Sequence, residues 1–301
     1  MKILYKEPLL LLLLLAPVCT LYAGGTDVDC SKKSLQDEID KLNKGDSNIV
    51  TISGTCTEDI VVSGFAGLTL VGTEGASITA TVFDNLSQEN STLALLVENS
   101  KVTVETLTIN AGYQGVECRK RSTCTIRNAS IQGGWGGIAF QEQSAGDILG
   151  STTIQNSLGG GLGIFGASTV NVRPEPYETG EEVGPVISGH SNTGVLILDG
   201  SFLRTDNVTI SGNGGWGVFG IRDINLKMFG GEVSGNTFDG IVVANGSTAQ
   251  IVTTISDNSG AGVYVGVLTF AQIFSDFSGN GSEVDCEHAT SISQPPEWCG
   301  N

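Results

Sequence analysis

The sequence predicts an all-β fold: a right-handed parallel β-helix solenoid of roughly ten coils, with a short N-terminal capping helix and a disulfide-stapled C-terminal cap. Three observations predict it. One phrase recurs along the second half of the chain with a period near 22 residues. Each copy carries short β-branched stretches separated by Gly, Ser and Asn. Stretches that short cannot bury a core alone, so successive copies must stack and pair with one another.

The chain opens on a segment that reads as a targeting signal. Lys2 and Lys6 precede the apolar run Leu9 to Leu15, Pro17 breaks it, and Leu21-Tyr22-Ala23 supplies a cleavage site before Gly24. The run is shorter than the ~20 residues a bilayer span needs, and no later stretch reaches that length. A lipid anchor on Cys19 is disfavoured because Val18 stands where a small residue is wanted. The expected divisions are therefore a signal at 1–23, an N-terminal cap at 24–48, the β-helix at 49–285 and a C-terminal cap at 286–301. An exported location, periplasmic or secreted, follows.

The cap contains Leu35, Ile39 and Leu42 at helical spacing, with Ser34 as N-cap and Gly45 just past the end. A helix over 34–43 would cover the open edge of the first coil.

The repeat follows. Its copies read Ile187-Ser-Gly-His190-Ser-Asn-Thr-Gly194-Val195, Ile210-Ser-Gly-Asn213-Gly-Gly-Trp-Gly217-Val218, Val233-Ser-Gly-Asn236-Thr-Phe-Asp-Gly240-Ile241 and Ile255-Ser-Asp-Asn258-Ser-Gly-Ala-Gly262-Val263. Weaker copies run over Ile154–Leu162 and Phe277–Val284. Counted at the residue after the last Gly, the coils register at Val116, Ile138, Leu162, Val195, Val218, Ile241 and Val263, in steps of 22, 24, 33, 23, 23 and 22. Asn213, Asn236, Asn258 and Asn280 then fall in one column, where their amides would hydrogen-bond up the stack. His190 takes that position in its own coil and is expected to be a structural substitute. The 33-residue step comes from an insertion, Arg173 to Gly184, whose Glu175, Glu178, Glu181 and Glu182 read as a solvated acidic loop.

Cysteines and charge bound the partners. Six cysteines follow the signal, and their clustering suggests the pairs Cys30–Cys56, Cys118–Cys124 and Cys286–Cys299 among fifteen possible pairings. No CxxC exists and neither His190 nor His288 lies near paired cysteines, so no metal site is expected; no cofactor is expected either. The net charge is −17, and −18 once residues 1–23 are removed. That balance disfavours nucleic acid and anionic membrane surfaces, both of which reward Lys and Arg. The oligomeric state is left open.

The stretch Val50-Thr-Ile-Ser-Gly-Thr-Cys56-Thr-Glu-Asp-Ile-Val-Val62, the following Gly67-Leu-Thr-Leu-Val-Gly72 and the closing Asp285-Cys286 resemble exported bacterial pectin-lyase-like β-helix proteins over the whole chain after the signal. Relatives of that wider fold include polysaccharide lyases, polygalacturonases, epimerases and adhesins. The resemblance implies the fold and a bias toward a polysaccharide partner. It does not extend to polygalacturonase chemistry. Asn236-Thr-Phe-Asp239-Gly240 carries an insertion relative to that family's motif, Gly189-His190-Ser191 lacks the second Gly and comes too early, and no Asp-Asp or Arg-Ile-Lys occurs. The glycine runs at 133–137 and 159–163 lack the Asp of calcium-binding nonapeptides.

Register supplies the remaining candidates. Four residues past each reference position lie Lys120, Glu142, Gly166, Asp199, Arg222, Asn245 and Val267, expected as one outer column. Lys120, Glu142, Asp199 and Arg222 are the organised candidates for acid, base and charge-neutralising roles in a lyase, hydrolase or epimerase. Arg119, Lys120 and Arg121 form the one cationic cluster, held by Cys118–Cys124. Nine residues past the reference lie Asp147, Asn171, Arg204, Lys227, Gln250 and Gln272, a polar outer strand face on which a sugar chain could hydrogen-bond. A non-catalytic scaffold binding glycan along that face, with Arg119 and Arg121 contributing, is the first expectation, and the enzyme is the alternative.

Overall fold

The computed structural model describes residues 24–81, 92–175, 183–287 and 291–293. The expected signal with Cys19, the acidic stretch Glu178–Glu182, His288 and Cys299, the expected partner of Cys286, lie wholly outside those residues.

The chain is a right-handed parallel β-helix of about eleven turns. Every strand pairing among the described residues is parallel, as stacking of successive coils requires. Each coil presents three faces. Face A is a ten-stranded sheet that includes Leu93–Glu98, Gln114–Arg119, Gly136–Phe140, Leu162–Ile164, Val195–Leu198, Val218–Ile221, Ile241–Ala244 and Ala261–Val265. Face B follows it in each coil, for example Lys101–Glu105, Thr123–Arg127 and Ala145–Leu149. Face C follows next, for example Thr108–Asn110, Ser130–Gln132 and Thr153–Gln155. Asn225–Ser234 and Thr248–Ser256 run through the bend between B and C, which fuses those two faces into one sheet.

Alternation along each strand sends one set of side chains inward. Val116, Ile138, Leu162, Val195, Val218, Ile241 and Val263 stack in one buried column, and every coil contributes comparable residues from faces B and C to a single apolar core.

Two polar ladders close the corners. At the turn from C to A, each Asn Oδ1 accepts the backbone N–H of the preceding coil and its side-chain amide: Asn213 Nδ2 donates to Asn236 at 2.9 Å, Asn236 to Asn258 at 2.8 Å and Asn258 to Asn280 at 2.8 Å. His190 continues this ladder, its N–H donating to Asn213 Oδ1 at 3.2 Å. At the turn from A to B, hydroxyls do the same work. Ser122 Oγ accepts from Ser100 N–H at 3.3 Å, Ser144 from Ser122 at 3.2 Å, Ser168 from Ser144 at 3.2 Å and Ser201 from Ser168 at 3.3 Å. Buried turn N–H groups would otherwise be orphaned.

The N-terminal helix is shorter than its spacing suggests. It spans Leu35–Asp40, with Ser34 accepting from Asp37 N–H, and Leu35 and Ile39 are buried. The chain turns at Lys41, so Leu42 packs on the core from outside the helix. The Glu58 carboxylate reinforces the N-terminus by accepting from Leu35 N–H at 2.8 Å and Gln36 N–H at 3.1 Å. Gly24–Asp29, placed by the sequence in the cap, pairs with Ser47–Ser53 and adds a further rung to face B. Cys30–Cys56 and Cys118–Cys124 are bonded, and Cys286 is also a disulfide cysteine.

Candidate functional site

The turn from A to B carries the charged column. Backbone bonds place Arg121 N–H on the Glu142 carbonyl (3.0 Å), Gln143 on Gly166 (2.9 Å), Ala167 on Asp199 (2.9 Å) and Gly200 on Arg222 (3.0 Å), so the residues stand one coil apart in sequence order. Each turn uses two consecutive left-handed residues. Asp199-Gly200 and Asn245-Gly246 have the residue types such a turn favours. Lys120-Arg121 and Glu142-Gln143 adopt the same conformation, with φ of 56° and 61° and of 54° and 63°, without either preference. Such strain gathers at functional positions.

The column divides into two groups. Lys120, Arg121 and Glu142, with Asn99, Gln143 and Gly166, surround a depression of about 430 Å3. Lys120 pairs with Glu98 at 2.8 Å, and Arg121 Nε donates to Gln143 Oε1 at 3.1 Å. Asp199 and Arg222 instead pair with one another at 2.5 Å, beyond Gly166. The Arg222 guanidinium holds the Asp199 carboxyl below the usual carboxylate range, the wrong direction for a general acid.

On face B, Asp147, Asn171, Arg204, Lys227, Gln250 and Gln272 occupy one outward column, with Ile148, Val172, Met228, Ile251 and Ile273 turned inward and buried. Arg204 is committed within it: it pairs with Asp206 at 2.8 Å and lies over the Phe229 ring at 5.1 Å.

Face A holds a concavity absent from both expectations. Glu117, Ala139, Gly163 and Leu196 are successive outward residues of one column. The two small residues between Glu117 and Leu196 leave a cleft of about 230 Å3, lined also by Tyr113, Trp135, Phe165, Gln114 and Gln141. A side chain on Gly163 would meet the Phe165 ring at 2.5 Å, so the glycine leaves room for that ring to lie against the strand at the cleft. Trp135 is 48 % exposed. It is set at the rim by a turn in which its N–H donates to the Tyr113 carbonyl at 3.0 Å.

Glu117 is the carboxyl of this cleft. Burial raises it above the ordinary carboxylate range; Arg119, at 3.2 Å, opposes the shift, and the like charges of Glu142 and Glu98 add to it. Arg119 also pairs with Glu98 at 2.6 Å. Lys120 and then Arg119 hold Glu98 below its ordinary range. The available sequence signal was the residue after each reference position, which runs Glu117, Ala139, Gly163, Leu196, Phe219, Val242 and Tyr264.

Among the described residues, no cluster of three or more His, Cys, Asp or Glu side chains is placed to hold a metal ion. His190 is buried in its ladder, where desolvation lowers its pKa to about 4.

The pairing and the ladders define a class, the right-handed parallel β-helix. A family model described as "Right handed beta helix region" matches residues 45–175. The chain is similar to the solved pectate lyase Pel9A, at 13 % identity over 92 % of this chain and 81 % of that one, with a TM-score of 0.58. It is similar to the alginate lyase from Paenibacillus sp. str. FPU-7, at 14 % identity over 89 % and 99 % of the two chains, with a TM-score of 0.55. A mutant of the periplasmic alginate epimerase AlgG gives 12 % identity over 89 % and 84 %, with a TM-score of 0.53. No curated protein matches the chain. The chain has the right-handed parallel β-helix fold, which it shares with these lyases and this epimerase. At these identities the likeness concerns the fold alone.

Proposed function

We propose that this β-helix is an exported glycan-binding protein whose sugar subsite is the cleft on face A above Ala139 and Gly163. The observation that carries the reading is the lining of that cleft: aromatic rings beside a carboxyl and two amides. A sugar ring offers an apolar C–H face for Trp135, Tyr113 or Phe165, and hydroxyls for Gln114, Glu117 and Gln141. An extended polymer also matches a surface that repeats every ~4.8 Å along the stack. The structural neighbours named for pectate and alginate support the reading as examples of the same fold kind. Disulfides support export, since they persist in oxidising compartments.

Face A is preferred to the polar column of face B because it is concave, and concavity is what buries a small ligand. The test is calorimetric titration with a panel of oligosaccharides. Trp135→Ala should weaken binding about tenfold, the effect of removing an aromatic anchor. Unchanged affinity in that variant would refute the cleft as the subsite.

One observation favours a second reading, catalysis at the same place. Glu117 is displaced in the direction a general acid needs, and the strained Glu142 turn lies in the adjoining coil. In that case Glu117→Gln should abolish turnover of a bound glycan and leave binding nearly intact.

A further inference from the structure

We infer that the cleft on face A selects uncharged sugars and rejects uronates; the inference rests on the glycan-binding reading and assigns its substrate class. A uronate polymer brings one carboxylate per sugar, so a site built for it needs an uncommitted cation beside the ring. The described residues of face A do not supply one. Among the cleft-lining residues Glu117 carries the only carboxyl, and Lys and Arg are absent from the lining.

The nearest cations are already committed. Arg119 binds Glu98 at 2.6 Å and Glu117 at 3.2 Å, and Lys120 binds Glu98 at 2.8 Å. Two basic and two acidic groups therefore cancel within the cluster. Arg121 has no carboxylate partner among the described residues, but it faces the depression around the corner of the coil with Gln143. Over longer range the chain carries −17, a field that slows the approach of a polyanion.

The surface beyond the cleft agrees. Leu196 continues into Phe219, Val242 and Tyr264 on the same outward column. Trp216 packs between Phe219 and Phe238 at ring separations of 4.8 and 5.1 Å. An apolar track of this kind matches the C–H faces of neutral sugars and gives a carboxylate no partner.

The experiment compares hexasaccharides of equal length by calorimetry at low and at physiological salt: cellohexaose, xylohexaose, mannohexaose and N-acetylchitohexaose against hexagalacturonate and hexamannuronate. The expected result is that at least one neutral hexamer binds about tenfold or more tighter than either uronate, with little salt dependence. Glu117→Lys, checked for an unchanged unfolding midpoint, should raise uronate affinity about tenfold and make it salt-sensitive. Uronates binding as tightly as the neutral hexamers, or tighter, would overturn the inference and leave the glycan reading standing. No binding by any hexamer would overturn both. If Glu117→Lys fails to fold, the unmodified protein's ranking decides alone.

Discussion

Glu117 and Leu196 stand in the same outward column of face A with only Ala139 and Gly163 between them. Three coil steps of ~4.8 Å separate their backbones, and the two intervening residues have almost no side chain to fill the gap. The cleft exists because of that pairing of small residues, and its walls come from the turns on either side.

Filling the gap should therefore remove the site without disturbing the fold. Ala139 points outward from its strand and is 5 % exposed only because its neighbours rise around it. Ala139→Leu should lower glycan affinity about tenfold or more while keeping the unfolding free energy within ~1 kcal/mol, since the added atoms enter the cleft that Ala139 lines and not the apolar core of the coil. Calorimetry and urea unfolding of the same preparation check both halves.

The charged turns make a separate prediction. Glu142 and Gln143 hold left-handed conformations that Asn245 and Gly246 adopt without penalty two coils beyond Asp199. Replacing Glu142-Gln143 with Asn-Gly should stabilise the chain by about 1 kcal/mol in urea unfolding. Glycan affinity should be unchanged if the cleft is the site. Loss of binding would return the site to the column of Lys120 and Glu142. Asp199→Asn should change neither quantity measurably, because its partner Arg222 is as exposed as it is.

His190 should report on pH. Its Nδ1 accepts from Ser157 N–H at 3.1 Å and its Nε2–H donates to the Ile154 carbonyl at 3.1 Å, so the neutral ring fits the ladder. Burial lowers its pKa to about 4, against 6.5 for the free side chain. The unfolded chain therefore binds the proton first. The stability contribution is complete above about pH 6.5 and is lost as pH falls toward 4, by about 2–3 kcal/mol at pH 4.5. His190→Asn restores the repeat residue and should lack this share of the acid loss. Parallel loss in the two proteins between pH 7 and 4.5 on urea unfolding would contradict the assignment.

The ladder itself should be costly to interrupt. Asn236 Oδ1 receives both the backbone N–H (3.1 Å) and the amide (2.9 Å) of Asn213, and its own amide reaches Asn258. Asn236→Ala orphans the buried backbone N–H and side-chain amide of Asn213 and leaves Asn258 Oδ1 with the backbone N–H of residue 236 alone, and should destabilise the chain by about 2–4 kcal/mol in urea unfolding.

The coil, the amide ladder and two local disulfides were legible because each repeats one residue type at one offset or clusters within one coil. The six-residue offset of Ser122, Ser144, Ser168 and Ser201 is as regular, but serine is also common in the loops, which hides the second ladder. Gly24–Asp29 escaped because its polar, glycine-led sequence does not resemble a strand; it pairs because Ser47–Ser53 offers an edge. The column of Lys120, Glu142, Asp199 and Arg222 was placed by counting, whereas its division by Gly166 and the Asp199–Arg222 pair depend on side-chain reach. The cleft was hidden for a different reason. It is a depth set by Ala139 and Gly163 relative to Glu117, Phe165 and Leu196, and depth is a property of neighbours rather than of any one position.

Tryptophan fluorescence reports directly on occupancy of the cleft. The indole of Trp135 stands at the cleft rim, three coils from Trp216. Titration of the protein with the neutral hexasaccharide that it binds best should give a saturable emission change that persists in Trp216→Phe and disappears in both Trp135→Phe and Ala139→Leu. A change that survives Trp135→Phe and Ala139→Leu, or that follows Trp216 alone, would contradict binding at this cleft.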